Sequence, residues 1–77
     1  MYTKTALYRI EQDLKNLAHE HDSAANNEYI WSMGASDAET LKMHAENMKQ
    51  YRQLARMYRK MSEHASALFE VYADDIN

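Results

Sequence analysis

A chain of 77 residues, 45% apolar and 27% charged, has room for one domain, and a domain this small buries only about 60% of the surface its unfolded form exposes. One glycine, no proline and no cysteine make an all-β fold with tight hairpins untenable and remove disulfides, thiolate metal sites and a cysteine nucleophile. A formal charge of −3 is too mild to declare a nucleic-acid or membrane partner. No apolar run approaches the ~18 residues of a membrane span and the Met1-Tyr2-Thr3-Lys4 start lacks a signal-peptide core, so a cytoplasmic protein is expected.

The inventory is rich in Ala, Leu, Met, Glu, Lys, Arg and Gln and holds one Val, which points to an all-α fold. From the N-terminus, Thr3, Leu7, Ile10, Leu14, Leu17, His21 and Ala24 repeat at alternating fours and threes, the stripe of an amphipathic helix. That helix is expected over about residues 5–21. A cap-forming Asp22 and the weak helix formers Asn26 and Asn27 then suggest a pause, with a short separate helix over 23–33 as an option. Tyr29, Ile30, Trp31 and Met33 crowd apolar surface just before the single glycine.

The turn is predicted at 34–36. Gly34 is the natural left-handed stop for the preceding helix, and Ser36-Asp37-Ala38-Glu39 reads as a capping box that opens the next. A long helix over 37–75 follows, since no residue in it breaks a helix. Its seam reads Leu41, His44, Met48, Tyr51, Ala55, Tyr58, Ser62, Ala65, Phe69, Tyr72 and Ile76, a mean period near 3.5 that implies supercoiling against a partner helix. A second apolar row, Leu54, Met57, Met61, Leu68 and Val71, runs beside it.

One neighbouring helix covers one side of another, so two apolar rows need a second wall. The expected architecture over 1–77 is therefore a single antiparallel helical hairpin that dimerises into a four-helix bundle. Leu54, Met57, Met61, Leu68, Phe69, Val71 and Tyr72 form the expected dimer interface, each large side chain being worth roughly 1.5–3 kcal/mol when buried. The alternative is a monomeric three-helix bundle in which the 22–33 segment folds back and Tyr29 and Trp31 plug the core.

Charge is segregated along the long helix. Lys49, Arg52, Arg56, Arg59 and Lys60 form a run without acids, on the face opposite the seam. Such a strip suits phosphates or an acidic protein surface, with Tyr51 and Tyr58 available for stacking. The simpler reading is a solvated face balanced by Glu11, Asp13 and Glu20 and by an Arg59–Glu63 pair.

Four histidines raise metal binding, but His19 and His21 point to different faces of a helix and neither Glu-x-x-His nor His-Glu-x-x-His occurs, so no metal or other cofactor is expected. His21 and His44 lie on the seams, where protonation would disfavour apolar packing and lower stability between about pH 7 and 5. The internal methionines are ordinary core filler or an adaptable docking surface. Trp31 with Tyr29 and Met33 is the better hot-spot candidate. No phosphate loop, nucleophile elbow or convergent acid–base set is present, which argues against an enzyme and a small-molecule substrate.

The functional expectation is a non-catalytic protein–protein interaction module: a stoichiometric binder, regulator or inhibitor of a larger protein. Base rates for such small helical chains extend this to a phage or plasmid accessory protein that blocks a host or defence complex. Its partner-binding residues are Tyr29, Trp31 and Met33 or the strip Lys49, Arg52, Arg56, Arg59 and Lys60. The alternative is a dimeric RNA- or DNA-binding bundle that uses the same strip.

Overall fold

In a computed structural model of the chain, residues 4–75 are described, with side chains through Val71. Two helices fill this span, α1 (Lys4–Met33) and α2 (Ala38–Asp75), and they lie side by side as an antiparallel hairpin with Cα extents of 60 × 14 × 13 Å. The all-helical hairpin expected from composition and periodicity is the observed fold. Thr3, Ile76 and the side chain of Tyr72, all assigned to apolar stripes above, lie outside the described residues.

The expected pause near Asp22 does not occur, and the three-helix alternative goes with it. Helix α1 continues without interruption to Met33. Tertiary contacts override the weak local propensity of the segment: Ala25 and Glu28 are buried against α2, and the Asp22 carboxylate accepts from Arg59 of α2 instead of capping a new helix. Tyr29 and Trp31, the proposed core plugs, are 52% and 59% exposed. The two helices differ by eight residues, a far smaller overhang than a first helix ending at His21 would leave.

The turn is built differently from its sequence signature. Gly34 does not have a positive φ. The Gly34 and Ala35 amides instead donate to the Trp31 and Ser32 carbonyls at 3.1 and 3.2 Å, tightening the last turn of α1 into i→i−3 bonds. Ser36 is exposed and does not cap α2. Asp37 does so: its carboxylate accepts the Thr40 amide at 2.7 Å and the Thr40 hydroxyl at 3.0 Å, which supplies one of the orphan donors of a helix N-terminus. These hydrogen bonds hold the Asp37 carboxyl below the usual carboxylate range, the Thr40 amide contributing most.

The interface between the helices is lean. Among the described residues its buried apolar members are Leu7, Ala18, Ala25, Ala55 and Ala65, so alanine, not leucine, dominates the line of closest approach. Ala55 and Ala65 on α2 and Leu7 on α1 occupy the expected seams. The buried Ser62 hydroxyl donates to the Glu11 carbonyl at 3.2 Å, which sets the register of the hairpin by placing position 11 level with position 62.

Candidate functional site

Three surfaces arise from this geometry. The first is an apolar groove on one flank of the open end. Leu7, Ile10 and Leu14 of α1 face Met57, Met61, Ala65 and Leu68 of α2 across a groove of about 420 Å³, with Lys60 and His64 on its α2 edge. Leu54 and Met57 extend the surface toward the middle of the hairpin through a hollow shared with Gln50 and Gln53. Met57 and Met61 remain 53% and 48% exposed. Of the second apolar row of α2, Met57, Met61 and Val71 are thus exposed while Leu54 and Leu68 are half-buried, so the premise of the expected dimer, a row that α1 does not cover, holds for part of the row.

Not all of the expected interface belongs to this row. Phe69 is half-buried and stands against Tyr8 with ring centroids 6.4 Å apart, while the Lys4 ammonium sits 5.6 Å from its ring centre. Val71 is exposed and does not line the groove.

The second surface surrounds the turn. Tyr29, Ile30, Trp31 and Met33 are exposed, as are Leu41 and Met43 across from them. Close to this surface lies a polar pair that the sequence reading missed. Glu28 is buried and its Oε2 accepts from His44 Nδ1 at 2.5 Å, and the Trp31 and His44 rings are 6.4 Å apart. The available signal was that Glu28 falls seven residues after His21 and so occupies the same heptad position as a seam residue. On the seam of α2, His44 therefore meets a carboxylate of α1 rather than hydrocarbon alone.

His21 occupies the middle of the interface. Its Nδ1 donates to the Leu17 carbonyl at 2.7 Å, and its ring lies between Tyr51 and Tyr58 at centroid distances of 6.1 and 5.1 Å. The two tyrosines proposed as stacking partners for nucleic-acid bases are therefore half-buried against α1 and are not a free platform.

The third surface is the basic strip. Lys49, Arg52, Arg56, Arg59 and Lys60 are all exposed, but they do not act as one unit. Lys49, Arg52 and Arg56 line a shallow depression with Ala45, Met48 and Gln53. Arg59 bridges to Asp22, not to Glu63, and Lys60 turns to the edge of the apolar groove. Glu11, expected to balance the strip, pairs with Lys15 of its own helix at 3.0 Å. Among the described residues, no carboxylate comes within ion-pair distance of Lys49, Arg52, Arg56 or Lys60.

Among the described residues no group of three or more His, Asp or Glu side chains converges on a point that could hold a metal ion, and no helix is long and apolar enough to cross a membrane. No protein-family model, curated protein or solved structure matches the chain.

Proposed function

We propose that the hairpin is a non-catalytic protein-interaction module that works as a homodimer, burying its grooved flank in a four-helix bundle and presenting its turn end to a larger protein as a stoichiometric binder or inhibitor. The observation that carries this reading is the groove itself. The fully buried apolar residues of the chain's own interface are mainly alanines, and Ile10, Met57 and Met61 remain 37%, 53% and 48% exposed, so enclosing them would add roughly half of the ~1.5–3 kcal/mol that complete burial of each side chain is worth. The exposed Trp31, Tyr29 and Met33 are the residue types that dominate binding energy once desolvated.

Sedimentation equilibrium at micromolar concentration tests the dimer. The expected mass is twice the 9.1 kDa of the chain, and Met57→Glu is expected to give a helical monomer. A wild-type chain that sediments as a single copy would refute the reading. For the turn end, Trp31→Ala is expected to abolish capture of the target while leaving helicity and dimerisation intact.

A second reading, nucleic-acid binding, is favoured by one observation: Lys49, Arg52 and Arg56 share a depression, and among the described residues no carboxylate lies within ion-pair distance of them. It predicts affinity for a short duplex whose logarithm falls with log salt at a slope of about −0.9 per phosphate contacted. A salt-independent response, or none, removes it.

A further inference from the structure

We infer that the outer edge of α2 is a docking surface for double-stranded DNA, laid along the major groove and held through phosphates by Lys49, Arg52, Arg56 and Lys60. This rests on the second reading above, nucleic-acid binding, and names the form of nucleic acid.

Helical geometry gathers the four cations. They lie about 60–140° round α2 from the buried Ala55, on the side turned away from Tyr51 and Tyr58, and span about 16 Å along its axis. All four are exposed, and among the described residues no carboxylate is within ion-pair distance of any of them. The acids nearby leave the strip open. Glu46 and Glu63 bracket it at its two ends. On the adjoining flank of α1, Asp22 is engaged by Arg59 and Glu11 by Lys15. Asp13 and Glu20 stand about 160–180° round α1 from Asp22, on the other side of the hairpin.

Three features select duplex DNA over other anionic partners. A protein interface is built around an apolar, charge-poor centre. Within 49–60 the exposed large apolar residue is Met57, about 100° round α2 from Arg56 on the groove side, and the depression among the cations is completed by Ala45, Met48 and Gln53. Protein–DNA interfaces are polar and strongly cationic instead. A single strand is held by stacking its bases on aromatic rings, and the strip offers none, since Tyr51 and Tyr58 are half-buried around His21. Shape decides between duplexes. An α-helix with its side chains, about 10–12 Å across, fits the major groove of B-DNA, roughly 12 Å wide. The major groove of an RNA duplex is too deep and narrow for side chains to read. Arg52 and Lys60 stand at the two margins of the cationic arc, where each would face the phosphates of a different strand.

Fluorescence anisotropy tests the assignment with a labelled DNA duplex of about two helical turns, each of its strands alone, and the RNA duplex of the same sequence. Four phosphate contacts give a slope of about −3.6 in log affinity against log salt, about a hundredfold loss between roughly 50 and 200 mM. Lys49→Gln, Arg52→Gln and Arg56→Gln are each expected to flatten that slope by about 0.9. Arg9→Gln makes the same charge change about 140° round α1 from Asp22 and is expected to leave it unaltered. All four positions are exposed, and circular dichroism verifies that helicity is kept.

Tighter binding of a single strand or of the RNA duplex, or an equal loss in Arg9→Gln, would overturn the assignment and leave nucleic-acid binding standing. Displacement of the DNA by polyglutamate at equal charge concentration would overturn it in favour of an acidic protein. No binding of any nucleic-acid probe at low salt would remove nucleic-acid binding altogether.

Discussion

From the middle of the hairpin to the turn the helices are joined by polar and aromatic groups, His21 between two tyrosines and Glu28 to His44 with Trp31 beside them; at the free end they are joined by Leu7, Ala65, the Tyr8–Phe69 ring pair and one hydroxyl, and Ile10, Met57, Met61 and Leu68 line a groove beside that contact. The first half satisfies its buried groups within one chain. The second has few polar groups to satisfy and gathers its uncovered hydrocarbon into a groove, whereas the hydrocarbon exposed at the turn end, Ile30, Trp31 and Met33 among it, lies outside any groove. Helical periodicity is alike in both, so the amphipathic pattern does not distinguish a self-sufficient contact from one that calls for another molecule. What distinguishes them is side-chain size along the line of closest approach: alanines let the helices come together and leave the longer residues at the flanks.

The largest expected effect comes from disturbing that close approach. Ala55, fully buried, has no space for a longer chain, and Ala55→Leu should cost about 2–3 kcal/mol in chemical denaturation by overpacking. The same methylenes removed from the groove, as in Met57→Ala, should change single-chain stability by less than about 0.5 kcal/mol, since Met57 is half exposed, and should instead appear as weaker association. Equal losses at both positions would erase the contrast.

Next in size is the polar anchor. Glu28→Ala leaves His44 without its partner and should cost about 1–3 kcal/mol. Replacing both with Leu should recover part of that loss, because an apolar pair carries no desolvation penalty. A double variant as unstable as the single would argue against the buried pair.

Asp37 tests the junction between the two halves of the chain. Its folded carboxyl lies below the usual range, so the stabilisation belongs to the charged form: it is present above the unfolded value and lost as pH falls through the lowered folded one. Thermal melts should therefore separate wild type from Asp37→Ala at neutral pH and bring them together in strong acid.

The smallest effect concerns Gly34. A Cβ there would meet only the Trp31 carbonyl oxygen at 3.7 Å, ordinary contact, and the backbone is not left-handed. Gly34→Ala should stabilise by about 0.4–1 kcal/mol through the unfolded chain, whereas a left-handed stop at this position would make the same change destabilising.

Composition and spacing alone determined the helical class, a break at the one glycine and the seam of α2 from His44 to Phe69, because a 3.6-residue period gathers apolar residues on one face of a helix and a chain without proline interrupts it at few places. The uncovered second row was equally visible, as a count of apolar residues exceeding what one neighbour can enclose. The unbroken α1, the cap at Asp37 in place of Ser36, the Asp22–Arg59 bridge and the buried Glu28–His44 pair were decided only by the tertiary structure. Each depends on a residue from the other helix or on which of two adjacent side chains reaches an amide, and such choices rest on interhelical register, fixed here by a hydroxyl of Ser62 meeting a carbonyl fifty-one residues away.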